Sequence, residues 1–211
     1  MKFLSTSFLI MLCLASFSQE KNDLGIITGT SYYFGDLNLG TQFYQPSPAI
    51  GFIFRNNRSD MFSLRFSGML GSLKGSAPQN YYLPNSPSNF STKLFSLEAT
   101  CEIGFLPFHT FFSQSRKFSP YVVLGTGLAY SNGYFIPNIP FGIGAKYSPA
   151  NRWTIGLEWR LHKTFFDEID GYQNVTSSPR SFAHNNDWFG VAGFFVTYRL
   201  INKGAVCPAY K

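Results

Sequence analysis

Apolar and polar residues alternate along most of this chain. In "LFSLEATCEIGF" (residues 94–105), Phe95, Leu97, Ala99, Cys101, Ile103 and Phe105 take every second position, and Ser96, Glu98, Thr100, Glu102 and Gly104 stand between them. In "NRWTIGLEWRLHKTF" (151–165), Trp153, Ile155, Leu157, Trp159 and Leu161 oppose Thr154, Gly156, Glu158, Arg160 and His162. A helix would scatter both sets around its circumference, whereas a strand sends them to opposite faces. The same period recurs in "PAIGFIFRN" (48–56), "MFSLRFSGML" (61–70), "SPYVVLGTGLAY" (119–130), "PFGIGAKYS" (140–148) and "DLGIITGTSYYF" (23–34). The last strand, in "DWFGVAGFFVTYRL" (187–200), is apolar on both faces in its first half, and Phe194, Val196 and Tyr198 oppose Thr197 and Arg199 in its second.

Eight strands are therefore predicted. "NNRSD" and "SPANR" read as tight polar turns after strands two and six. Longer segments rich in Asn, Ser, Pro and Gly follow strands one, three, five and seven, the third of them "SNGYFIPN" (131–138). The link after strand four, "LPFHTFFSQSRKF", breaks this rhythm, being longer than a tight turn.

Two architectures suit eight alternating antiparallel strands. A lipocalin-like soluble barrel keeps its apolar face inside. An outer-membrane barrel turns that face to lipid and encloses the polar one. Here the polar faces combine Gly, Ser and Thr with charges of both signs: Arg55, Arg65, Glu98, Glu102, Lys146, Glu158, Arg160 and Arg199. A cation on the lipid side at the bilayer midplane costs about 2–4 kcal/mol, which explains such strict parity. Aromatics at strand ends (Tyr32, Tyr33, Phe34, Tyr121, Tyr130, Trp153, Trp188, Tyr198) suggest two interfacial girdles. The expected fold is an all-β, eight-stranded antiparallel transmembrane barrel of the outer-membrane type. Its interior would be polar and filled by side chains, without porin activity.

Composition supports this orientation. Aromatics make up 18% of the 211 residues and charged residues only 13%, against about 25% charged in soluble domains. Residues 1–18, "MKFLSTSFLIMLCLASFS", read as a secretory signal peptide: Lys2, a short apolar core, then Ser16 and Ser18 before the cleavage point. Leu12 before Cys13 argues against lipidation. The domain plan is a signal at 1–18, a barrel over 19–200 and a periplasmic tail over 201–211. The formal charge of +6 has no Lys/Arg cluster interleaved with aromatics, so no nucleic-acid partner is expected.

Candidate chemistry is sparse. His162 lies on the polar parity near Glu158 and Arg160, and is the candidate general base for a lipid-modifying enzyme. No Ser/His/Asp spacing gives it a partner, so a place in a hydrogen-bonded lumenal network is preferred and no catalytic residue is assigned. No metal or cofactor is expected. "DEID" (167–170) lacks the spaced ligands and turn glycine of a calcium loop. Cys101 and Cys207 should lie too far apart to pair, leaving Cys207 either bonded to another chain or idle. In "SYYFGDLN" (31–38), Gly35 and Asp36 suit the turn that follows strand one.

Several segments resemble PorG-type outer-membrane barrels of the type IX secretion system. They are "GTSYYFGDLN", "IPFGIGAKYSPANRWTIGLEWRLHKTFFDEID", "YRLINKGAVCPAY", and "FLPF" with "FSPYVVLGTGLAY". The resemblance covers nearly all of the expected mature chain. Gly35, Asp36 and Leu37 are the motif positions. It implies a non-enzymatic outer-membrane component that anchors or assembles the periplasmic ring of the secretion machine. The expected partners are outer-membrane lipid and the ring proteins. The contacts would be made by the unusually long inward turn (Pro107, Phe108, His109) and by the tail with Cys207. A surface-binding barrel working through its outer loops is the other alternative.

Overall fold

The computed structural model describes residues 21–34, 42–76, 89–108, 117–165 and 187–200. They form β1 (Lys21–Phe34), β2 (Ser47–Asn57), β3 (Phe62–Ser76), β4 (Asn89–Gly104), β5 (Phe118–Ser131), β6 (Tyr134–Tyr147), β7 (Trp153–Thr164) and β8 (Trp188–Leu200). Each strand pairs antiparallel with the next, and β8 pairs with β1 over the whole of its length, from Leu200↔Asn22 to Trp188↔Phe34. The sheet is thus a closed barrel with no free edge, the one sheet form in which every strand amide can be paired in a non-aqueous surround.

The faces are inside out relative to a soluble barrel. Leu157 is 65% exposed and the next residue, Glu158, only 4%; Leu124 is 59% exposed and Arg65 fully enclosed. Leu24, Ile26, Ile50, Phe52, Phe66, Leu70, Leu97, Ile103 and Ile143 complete an exposed hydrocarbon belt. Such a belt around a closed antiparallel barrel makes this a transmembrane barrel of the outer-membrane type. Aromatics cluster at both rims of the belt. Trp153 meets Tyr198 edge-on at 5.1 Å at the end where the short turns lie (the turn end). Tyr130 meets Phe135 at 5.0 Å at the opposite, loop end.

Three expectations are corrected. The segment 131–138 is not a long connection. β5 and β6 meet in a hairpin whose two turn residues, Asn132 and Gly133, have φ of 49° and 87°. Positive φ at both positions is the type I′ geometry that Asn-Gly favours, and its twist matches the flanking strands. Strand alternation simply continues through Ile136 and Asn138, which point inward. Second, Tyr33 and Tyr121 are not girdle residues: both are buried inside the barrel. Gly144 makes the space for Tyr121, because a Cβ there would collide with the phenol ring.

Third, the interior is not polar throughout. Toward the loop end Tyr33, Ala49, Met69, Leu73, Leu94, Ala129, Ile136, Phe189 and Val191 pack into an enclosed apolar cluster, with Phe90 against it. A lumen of eight strands is narrow enough to be packed like a core, so hydrocarbon serves there as well as polar groups do. In the doubly apolar first half of β8, Phe189 and Val191 face inward into this layer, Phe195 faces inward into a second apolar cluster with Ile27, Ile53, Tyr121 and Val123, and Phe194 faces outward. The proposed signal peptide (1–18), the tail (201–211), Gly35, Asp36, Leu37, His109, Cys207 and "DEID" lie outside the described residues.

Candidate functional site

Inward-facing charges from seven strands meet in the lumen, running from Arg199 and Asp23 near the turn end up to His162, which lies level with Phe189 of the loop-end layer. Arg199 of β8 donates from Nε to Asp23 of β1 at 2.8 Å. Asp23 also lies 3.7 Å from Arg55 of β2. Arg55 Nε donates to Glu102 of β4 at 2.9 Å, and Arg65 of β3 donates to the same carboxylate at 3.0 Å. Arg65 then grips Glu158 of β7 with two nitrogens, at 2.5 and 2.9 Å, the paired geometry in which guanidinium and carboxylate match best. Glu158 lies 2.7 Å from Arg160, and Arg160 pairs with Glu98. Glu98 is also 3.0 Å from His162 Nε2.

The result is one chain of alternating sign: Arg199, Asp23, Arg55, Glu102, Arg65, Glu158, Arg160, Glu98, His162. Each carboxylate bridges two basic groups, so no acid is left with a single partner. Lys146 branches from Glu102 at 3.5 Å. Of the nine residues assigned to a lumenal polar network from the sequence, eight lie on this chain and Lys146 lies on its branch. Two members were missed. Asp23 sits at the start of the first strand, where parity alone marked it as inward. Tyr121, taken for a girdle residue, donates its hydroxyl to Glu158 at 2.5 Å. Its inward parity was the signal.

His162 is enclosed on every side. Its ring stacks on Phe189 at 4.1 Å with an interplanar angle of 6°. Nε2 faces Glu98, and Nδ1 lies 3.3 Å from the Phe189 carbonyl oxygen. Both ring nitrogens are engaged, and the residue is fully buried. A general base needs a substrate proton within reach, and this imidazole faces only the barrel's own side chains. Among the described residues no group of His, Cys, Asp and Glu could hold a metal ion. Cys101 is a half-buried free thiol on the outward face.

At the turn end the long link begins with a fixed segment. Gly104 N–H donates to the Met61 carbonyl at 2.7 Å, and Phe108 N–H to that of Asp60 at 3.0 Å, tying the link to the β2–β3 turn. Phe108 is buried, and Lys146 Nζ lies 5.1 Å from its ring centroid and 5.4 Å from that of Tyr121. The Phe108 ring therefore faces the lumenal ammonium. Pro107 beside it is half-exposed. Lys117, where the link rejoins β5, is exposed.

The family model described as "Domain of unknown function (DUF6089)" matches residues 1–209. The chain belongs to this family. A search of curated proteins finds no match. Among solved structures it is similar to Ail, the attachment invasion locus protein of Yersinia pestis, in complex with the heparin analogue sucrose octasulfate. The identity is 12% and the TM-score 0.50, over 86% of this chain and 99% of that one. It is also similar to Neisserial surface protein A, at 14% identity and TM-score 0.47, over 84% and 96% of the two chains. The N-terminal β-barrel domain of Pseudomonas aeruginosa OprF matches at 16% identity and TM-score 0.42, over 86% and 100%. The likeness to Ail is one of fold: a small closed outer-membrane barrel.

Proposed function

We propose that this DUF6089 barrel resides in the bacterial outer membrane and works through its rims as a non-enzymatic part of the type IX secretion system. In this reading it anchors or assembles the periplasmic ring. The observation that carries the reading is the occupied lumen. An ion-pair chain fills one half and an apolar cluster the other, and their members are almost wholly enclosed. A barrel packed in this way has little to offer as a conduit, so its exposed ends are where it can act. The resemblance of residues 29–38, 139–170 and 198–210 to PorG-type barrels supplies the secretion role. The start of the link, tied to the β2–β3 turn at Phe108, offers a platform for contact at the turn end, with Pro107 half-exposed on it. Phe108 serves this platform by packing under it.

The test is affinity capture of the tagged barrel from detergent-solubilised outer membrane. Ring proteins should co-purify with the wild type. They should be lost when the link 109–116 and the tail 201–211 are both replaced by Gly/Ser sequence, with heat-modifiable gel mobility retained. Ring capture by the doubly replaced barrel would end the secretion reading. The lipid-modifying alternative is disfavoured by the enclosed His162. Turnover of lipid by purified barrel, abolished in His162→Ala, would revive it.

A further inference from the structure

The exterior carries few charges, and their placement is one-sided. Among the described strand residues, the outward-facing lysines are Lys74 of β3, Lys93 of β4 and Lys163 of β7, all near the loop end. Every described strand carboxylate (Asp23, Glu98, Glu102, Glu158) faces inward and is buried. Among the described strand residues, the outward charges near the loop end are therefore all positive. Lys163 lies with its Nζ 4.6 Å from the centroid of the Trp188 ring. Lys74 and Lys93 are exposed and near each other: Lys74 pairs with Ser91, and Lys93 with Ser72, on the same two-strand ladder.

Depth along the strand fixes their level. Phe95 pairs with Leu70 and with Tyr130 of the loop-end aromatic rim. Lys93 is two residues further toward the loop end, about 7 Å along the strand. That places the ammonium groups just beyond the aromatic boundary, at headgroup depth, where long cationic side chains meet lipid phosphates. Directly below lies an open exterior groove of about 830 Å³, lined by Pro48, Leu70, Ser72, Lys93, Phe95 and Tyr130 and by the Asn132-Gly133 turn. Its floor is hydrocarbon, its upper end holds a hydroxyl and an amide, and Lys93 stands at the top, with Lys74 on the neighbouring strand beside it. Those three features, in that order, match an acyl chain, sugar hydroxyls and a phosphate.

We propose that this groove seats a phosphorylated, acylated glycolipid of the outer leaflet. Its acyl chain would lie on Leu70, Phe95 and Tyr130, and its phosphate would sit at Lys74 and Lys93. The inference rests on the outer-membrane placement given above but not on the secretion role. Purified barrel is reconstituted into phosphatidylcholine nanodiscs doped with monophosphoryl lipid A, with the same glycolipid lacking phosphate, or with phosphatidylglycerol. Retained lipid is then counted by native mass spectrometry.

The wild type should retain monophosphoryl lipid A in preference to both others. Lys74→Gln with Lys93→Gln should lower that retention by about tenfold, because each cation near a phosphate surface contributes appreciably to binding. Ser72→Trp, which fills the groove and keeps both lysines, should lower it too. Arg152→Gln, an exposed cation at the opposite end, should match the wild type. Equal retention by the double lysine variant, or equal retention of phosphatidylglycerol, overturns the proposal. Ring capture by the same lysine variants is read separately: its loss would bear on the secretion reading, and its persistence leaves the lipid result to be judged alone.

Discussion

Toward the loop end of the lumen, an inward side chain meets mostly hydrocarbon; toward the turn end, it meets charges, with a smaller apolar cluster of Ile27, Ile53, Tyr121, Val123 and Phe195 beside them. The same eight strands supply both halves. Arg65 and Met69 are both inward on β3, as are Glu102 and Leu94 on β4, and Arg199 and Val191 on β8. The two halves fill space by different means. The apolar half relies on close packing and tolerates substitution according to the volume lost. The charged half relies on closure of the ion-pair chain, whose members lost their hydration when the barrel closed. Such a chain adds little net stability over a well-packed apolar core, yet it is costly to interrupt. It specifies which strands lie opposite one another: Arg65–Glu158 joins β3 to β7 across the lumen, and Arg160–Glu98 joins β7 to β4.

The largest effect should come from cutting the chain at a carboxylate held by three partners. Glu158→Ala takes from Arg65 and Arg160 one of the two carboxylates each pairs with, and from the Tyr121 hydroxyl its acceptor. Its expected cost is about 3–5 kcal/mol, the range for removing one partner of a buried ion pair. The measurement is the urea unfolding midpoint in lipid vesicles. A loss below about 1 kcal/mol would mean that water enters the lumen and hydrates these groups, and the distinction between the halves would fail.

In the apolar half, Leu73→Ala should cost about 2–4 kcal/mol by leaving a void against Leu94 and Met69. The sharper comparison is Leu73→Met, which keeps volume and should cost less than about 1.5 kcal/mol. No equally mild replacement exists for Glu158, since even Gln removes the charge that two guanidinium groups share. If Leu73→Met proved as damaging as Leu73→Ala, shape complementarity and not volume would govern this half as well.

Between these extremes lies the link at the turn end. Phe108→Ala removes one of the two rings facing the Lys146 ammonium. The expected loss is about 1–2 kcal/mol from cation–π contact and burial. Phe108→Leu should recover the burial but not the cation–π part, and the difference in unfolding midpoint separates the two.

How much of this was legible in the sequence follows from what parity can and cannot carry. Period two fixed which residues face inward, and charges at inward positions identified the lumen with its nine polar members. Parity says nothing of depth, so the division of the lumen into two halves could not be read; Leu94, Met69 and Leu73 look like exceptions until the register places them in one layer. Pro137 and Pro140 obscured the start of β6, because proline marks a break in most strands. The Asn-Gly pair beside them was the better signal. Tyr33 and Tyr121 were assigned by residue type to the membrane boundary although their parity was inward, and parity was the more reliable guide. Whether the ends contact a secretion ring depends on residues in the link and tail, where neither alternation nor a charge pattern constrains the reading.

The smallest effect should lie at the tight hairpin on the loop-end rim. Gly133 has a φ of 87°, and a Cβ added there would meet nothing within 4 Å. Gly133→Ala therefore tests the backbone alone, with no packing contribution. An L-residue held in the left-handed region costs about 1–2 kcal/mol, and part of that is offset because alanine has less freedom to lose on folding. The expected net loss is about 1 kcal/mol by the same urea midpoint. Asn132→Gly, which removes the strain of a non-glycine residue at φ of 49°, should be close to neutral. A loss of several kcal/mol at Gly133 would show that the turn sets the register of β5 against β6. The apolar layer, in which Ala129 of β5 and Ile136 of β6 pair across that hairpin, would then depend on the turn for its alignment, not on its own packing.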